Sequence, residues 1–568
     1  MKNLKIVKLI TMTLAVVIMS TVSCSDEFLE VAPAGSLSQT ELTTLAGLEG
    51  TLIGVYSQLL GRTGFYSAAD NWFWGSVLGG DANKGTDAGD QSQVNEIQYY
   101  AVQTNNVSVL EKYQSTYEGI ARANNLLRLV VLAETVGDED KTRITAEARF
   151  LRGHYYFELK KIFNDTPYVD ENWDEIEPIP NNQDLWPFIE ADFQFAVANL
   201  PDTQSDPGRA NKSTAIAYLG KTHLYQEEWA EAKAQFDQII NGQGVTASGE
   251  NYALLPYYAN VFRSTFDNSS ESVFAAQAAA NTGNVANANP ALVLNFPHGS
   301  TGPARPGGCC GFNQPSQELV NSYRTNASGL PLPEATWNSS PEAVDSDMGL
   351  QSGDPFTVDT KPIDPRVDHA VGRRAIPYLD WGPHPGFDWI RNQPNGGPYS
   401  PKKFIYYEAG IGVENDVSSW TPGYTAVNYN IIRYADVLLM AAEAEIMLGN
   451  DGAGIDLINE VRARAATSLI PGSPANYVCS EYPGVPADPM EALRTERKLE
   501  LSGEGHRLYD LVRWGIAAET LNAYLAYESQ FIPELVGAVF TDKNNYLPIP
   551  QNEIDLQGTD VLTQNPGY

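Results

Sequence analysis

Apolar side chains recur at three- and four-residue intervals in several long stretches of this chain, and each such stretch predicts a helix. Over 143–163, Ile144, Ala148, Leu151, Tyr155, Leu159 and Ile162 fall on one face. Over 430–448, Ile432, Ala435, Leu439, Ala442 and Ile446 do the same, and Gly449-Asn450-Asp451-Gly452 ends the pattern. Over 454–466, Ile455, Ile458, Val461 and Ala465 turn inward. Residues 213–240 carry a longer signature. Gly220 is followed by Ala232 and Phe236 at the spacing of tetratricopeptide helix pairs, where small residues let two antiparallel helices approach and the phenylalanine wedges the next pair. Ala441, Ala453 and Leu457 repeat the arrangement loosely. The fold class is therefore mostly α: a tetratricopeptide-like scaffold with helices within 41–60, 108–132, 143–240 and 428–515, its units scattered rather than forming one continuous solenoid.

Two regions break the helical period. Residues 64–107 are rich in Gly, Asn, Asp and Trp, and residues 281–425 are richer still in Gly and Pro. Loops this long inside a folded chain are uncommon and usually functional, so the site is expected on them.

The N-terminus changes the picture of where the chain works. Lys2, Lys5 and Lys8 precede an apolar run from Leu9 to Met19, and small residues Thr21, Val22 and Ser23 lead to Cys24. This is the layout of an export signal, and it is too short to span a bilayer. Cys24 at the first mature position resembles the lipobox of bacterial lipoproteins, although Thr21 stands where Leu is common. Residues 1–23 are then the leader and 24–568 the mature domain. Ser25, Asp26 and Glu27 resemble the acidic surface-export signal of Bacteroidota lipoproteins. The formal charge of −33 opposes binding to nucleic acid or anionic lipid, and the leader's lysines leave the mature chain more acidic still. After Cys24 only Cys309, Cys310 and Cys479 remain, too few for a disulfide framework. Cys309 and Cys310 close a vicinal bridge, or one of them pairs with Cys479.

Four segments together resemble the SusD/RagB family of Bacteroidota surface lipoproteins. They are EARFLRGHYYFELKKIF (147–163), NYNIIRYADVLLMAAEAEIMLG with INEVRARA (428–465), ALRTERKLELSGEGHRLYDLVRWG (492–515) and the ending YLPIPQNEIDLQGTDVLTQNPGY (546–568). The resemblance implies a non-catalytic nutrient binder in the outer membrane, facing the cell exterior. It also implies a SusC-like TonB-dependent barrel as partner, and an oligo- or polysaccharide cargo. Some members of the family take peptides or other glycoconjugates.

Glycan binding needs flat aromatic faces beside polar groups. Asn71, Trp72, Trp74, Asp81, Asn83 and Lys84 supply that mix in the first loop region. Residues 305–313, with Cys309 and Cys310 as a pocket rim, and 378–391 supply it in the second. Trp381 and Trp389 flank Pro383, Pro385 and Gly386, which favour an extended loop presenting both rings, and Arg391 could fork onto hydroxyls or a sugar carboxylate. Any of these tryptophans can equally be packing. Trp72 and Trp74 lie two apart, so at least one is expected in the core. Inert loop thiols are the plain alternative for Cys309 and Cys310. Asp81-x-Asn83-x-Gly85-x-Asp87 imperfectly resembles a calcium loop, with its glycine misplaced and no glutamate at position twelve, so no cofactor is expected and calcium is kept only as a minor alternative. Glu496, Arg497, Glu500, Glu504, Arg507, Asp510 and Arg513 fit helical ion pairs better than catalysis. The rival readings are a surface glycoside hydrolase, for which no carboxylate pair stands out, and an adhesive scaffold, which leaves the Trp-rich loops unexplained.

Overall fold

A computed structural model describes residues 37–61, 72–173, 177–299 and 302–568; Cys24, Asn71 and the leader lie outside the described residues. The longer helices are α1 (Leu45–Tyr56), α2 (Val107–Leu132), α3 (Asp138–Phe163), α4 (Trp186–Asn199), α5 (Lys212–Tyr225), α6 (Trp229–Ile240), α7 (Tyr434–Met447), α8 (Asp451–Thr467), α9 (Pro489–Leu501), α10 (Arg507–Arg513), α11 (Ala517–Glu528) and α12 (Gln551–Gln557). Local chemistry fixes their starts. Asn106 caps α2 by accepting from the Ser108 and Val109 amides. Asn211 caps α5 by accepting from the Thr214 amide. Asp488 caps α9, with Pro489 in its first turn. Helix α3 carries Asp138, Glu139 and Asp140 in its first turn and Lys160 and Lys161 in its last, matching the helix dipole.

Each helix from α2 to α9 packs on its neighbour in turn, and α1 rests on α2 and α3. The repeat units are thus scattered in sequence but consecutive in space: α6 and α7 touch directly although residues 241–433 intervene. The expected close approach is present. A Cβ built on Gly220 would stand 2.7 Å from the Phe236 ring.

The loop-rich regions hold short strands. They form three two-stranded antiparallel sheets: β1 (Ala82–Gly85) with β3 (Phe312–Pro315), β2 (Ser272–Ala276) with β6 (Tyr429–Arg433), and β4 (Val371–Gly372) with β5 (Ser400–Pro401). The helix expected from residue 430 therefore begins only at Tyr434. Ile431 and Ile432 belong to β6, whose hydrogen bonds go to β2.

A buried ion network joins the inserted region to the helices. Arg366 contacts Asp364, Glu496 and Glu500 at 2.8, 2.6 and 3.0 Å. Arg433 contacts Glu271, Glu500 and Glu504 at 2.9, 2.6 and 2.7 Å. The charged run of α9 is structural, as expected, but its partners come mainly from other elements rather than from the same helix. Burial alone would raise the Glu500 carboxyl; Arg464, Arg433 and Arg366 overcome it and hold it far below the usual range.

Candidate functional site

The turn Arg305–Gly311 is the centre of the loop-rich half. Gly307, Gly308 and Gly311 adopt left-handed backbone, which side chains rarely tolerate. Cys309 and Cys310 are joined to each other by a disulfide across a cis peptide bond. Of the two open pairings, the vicinal one is formed, and Cys479 is free. Neighbouring segments hold the turn on every side. The Cys310 and Gly311 amides donate to the Leu294 and Phe296 carbonyls at 3.0 and 2.9 Å. The Gly307 amide donates to Tyr406 Oη at 2.8 Å, and its carbonyl accepts from Thr421 Oγ1 at 2.7 Å. His298 Nδ1 lies 3.0 Å from the Gly308 carbonyl. Facing a carbonyl, that nitrogen carries the proton. Burial, with Arg391 and Arg305 nearby, lowers the imidazole pKa and keeps it neutral.

Two tryptophans flank this turn. Trp381 is half-buried; its Nε1–H donates to the Tyr406 carbonyl at 3.0 Å and its ring stands edge-on to Tyr406 at 6.0 Å. Trp420, adjacent to Thr421, is 62% exposed, and Ile411, Val413 and Val417 are exposed on the same loop. The sequence reading did not single out Trp420. Its signal was a tryptophan between Ser418-Ser419 and Thr421-Pro422-Gly423, a segment with little apolar company to bury it.

On the other side of the turn Arg391 neighbours Gly311. Its guanidinium is held by Asp87 at 2.5 Å, Asp90 at 2.6 Å and Thr86 Oγ1 at 2.7 Å, so it presents fixed polar edges rather than a free fork. Arg305 contributes a buried Nε–H that meets no acceptor among the described residues. Aromatic faces, a neutral imidazole, two guanidiniums and two carboxylates thus border one rigid turn.

Several expected site residues lie elsewhere. Trp72 and Trp74 are each 2% exposed; Trp72 donates to the Ala291 carbonyl at 3.0 Å, and both rings pack on Phe73. Both are core, where at least one was expected. Trp389 is also core, 1% exposed, edge-on to Tyr378 at 5.4 Å and His384 at 5.2 Å. The prolines and glycine that were to expose it instead fold the loop back over its ring. Asp81 and Asn83 are buried in and beside β1. Asp81 Oδ2 accepts from the Gly503 amide at 3.1 Å, while Asn83 bonds Glu528 at 2.9 Å and Tyr524 at 3.2 Å. With Asp87 on Arg391, these residues do not converge as a calcium loop. Burial lifts the Asp81 carboxyl to about 6, against the opposing pull of Lys498 and Arg507. It lifts Glu528 to about 7. Asp81 borders only a small cavity of about 30 Å³, and Glu528 accepts from Asn83 and from the Gln317 and Glu318 amides. Among the described residues Glu190, His223 and Glu228 form a group with metal-ligand character in the helical half; the fold, not sequence spacing, assembles it.

Among the described residues no helix is long and apolar enough to cross a membrane. The sequence model of the SusD family matches residues 270–568, and a second, described as starch-binding associating with outer membrane, matches residues 27–224. SusD-like protein P2 of Formosa agariphila is 25% identical, covering 98% of this chain and 99% of its own. A laminarin binding SusD-like protein of solved structure is 25% identical with a TM-score of 0.64, covering 92% of this chain and 99% of that one. Surface glycan-binding protein A from Bacteroides thetaiotaomicron, solved with laminarihexaose, is 20% identical with the same TM-score and the same coverages. These matches span both the helical scaffold and the loop-rich insertion, and the chain belongs to the SusD family.

Proposed function

We propose that this protein captures a glycan at the outer surface of the outer membrane without cleaving it. It then hands the glycan to a SusC-like TonB-dependent barrel, and the lipid on Cys24 anchors it there. One observation carries the reading: Trp381 and the exposed Trp420 flank a turn locked by the Cys309–Cys310 disulfide, with Arg305 and Arg391 on the same turn's borders. Pyranose rings offer apolar C–H faces to tryptophan and hydroxyls to guanidinium and carboxylate. Two structural neighbours, a laminarin binding SusD-like protein and a surface glycan-binding protein solved with laminarihexaose, support this cargo class.

The test is affinity electrophoresis of the purified mature protein through gels containing laminarin, soluble starch or alginate. Retardation by at least one, weakened by Trp420→Ala and Trp381→Ala and without new reducing ends, is the expected result. Migration unchanged in all three would overturn the glycan reading, and new reducing ends would make the protein a hydrolase.

A further inference from the structure

The helical half carries a second concave surface, away from the disulfide-locked turn. A cleft of about 670 Å³ runs along the outer face of α2, where Tyr113, Tyr117, Ile120, Ala121 and Asn124 follow at three- and four-residue spacing. One wall is Pro167, Val169 and Trp173 with Pro178 and Ile179; the other is α12, through Glu553 and Gln557.

Both walls are held in place by α2 itself. Tyr117 Oη donates to the Pro167 carbonyl at 2.7 Å, and Asn124 Nδ2 to the Val169 carbonyl at 2.9 Å. Arg128 donates to the Glu171 and Trp173 carbonyls at 2.7 and 3.0 Å. On the opposite side Gln114 Nε2 donates to Glu553 Oε1 at 2.9 Å. The cleft is therefore preorganised, which lowers the cost of filling it.

Its chemistry is specific. Tyr117 and Trp173 offer half-buried aromatic faces, and Gln557 and Glu553 offer amide and carboxylate edges. No Lys or Arg is among the described lining residues, and the one charged group is an acid. Ligand clefts commonly span about 300–1,000 Å³, so a short run of sugar rings fits. We infer that this cleft is a second carbohydrate-binding site, taking a neutral segment of the same polymer whose other part sits at the Trp381–Trp420 turn. It rests on the glycan reading. Two contacts on one chain raise retention through effective concentration rather than through either contact alone.

The test compares Trp173→Ala, and Ala121→Trp as a filling variant that removes no wall contact, with Trp420→Ala. Each is run through gels of laminarin and soluble starch, and titrated with laminarihexaose and maltohexaose. Both cleft variants should lower polymer retention roughly tenfold while leaving the affinity of the tighter hexasaccharide site unchanged. Wild-type retention with both cleft variants unaffected would overturn the second site and leave the glycan reading standing. No retention of wild type by either neutral polymer would overturn the second site, and a shift in alginate alone would then still support the first. Unchanged glycan retention with lost association to the barrel would make the cleft a protein-docking surface, which also overturns the inference.

Discussion

The ring of Phe236 lies against the bare backbone of Gly220, so close that a methyl group there would sit 2.7 Å from it. This contact sets the spacing of α5 and α6. Gly220→Ala should therefore destabilise the protein by about 1–3 kcal/mol through overpacking, read as a lower urea midpoint. Gly50, inside α1 with nothing within 4 Å of where a Cβ would stand, makes the control. There Gly50→Ala should stabilise by up to about 1 kcal/mol.

Trp389 and Trp420 should separate packing from binding. Trp389→Ala should cost about 3–5 kcal/mol of stability by opening a cavity against Tyr378 and His384. Trp420→Ala should shift stability by no more than about 0.5 kcal/mol while glycan retention falls. Thermal melts and affinity gels on the same two preparations check both; a binding loss confined to Trp389→Ala would return that ring to the site.

Arg366→Met should be strongly destabilising, by about 3–5 kcal/mol, because Asp364 would be left buried without its cation while Glu496 and Glu500 each lose one of theirs. Denaturant unfolding at neutral pH measures it.

Asp81 gives a pH signature. Its folded carboxyl titrates near 6 against an ordinary value of 3.8, so between these values the unfolded chain is ionised while the folded one holds its proton. Stability from this group falls as pH rises from about 4 to 6 and is flat above. Asp81→Asn removes that slope, so its stability relative to wild type should grow across the window, by at most about 3 kcal/mol. Urea titrations at pH 4, 5, 6 and 7 follow it.

Thiol counting tests the turn. Without reductant, the denatured chain lacking Cys24 should expose one reactive thiol, Cys479, and after reduction three. In the folded protein burial raises the Cys479 thiol pKa well above its ordinary value, so labelling at pH 8 should be slow.

The helices were legible because burial on one face leaves a period in the sequence, and the close approach at Gly220 could be read from spacing, although Phe236, expected to wedge the next pair, seats on Gly220 within its own. The start of α7 was not, because Ile431 and Ile432 continue the helical period while their backbone pairs with β2, distant in sequence. The tryptophans were the hardest. Proline and glycine around Trp389 report a bent backbone, but not which side of the bend faces the core; that depends on Tyr378 and His384 folding over it. Trp420 is exposed for the same reason in reverse, since nothing among the described residues covers most of its ring.

The antiparallel pair β2–β6 lies near the base of the 241–433 insertion, where the chain leaves α6 and returns to α7. Those two helices touch, so the stack runs on across the neck, and Arg366 from the insertion ties into it at Glu496 and Glu500 of α9. Lengthening a loop is entropically mild, about 0.6 kcal/mol for each doubling. The architecture thus behaves as a socket and a cartridge: the cartridge can change in sequence away from its ion-paired anchor while the socket keeps its register.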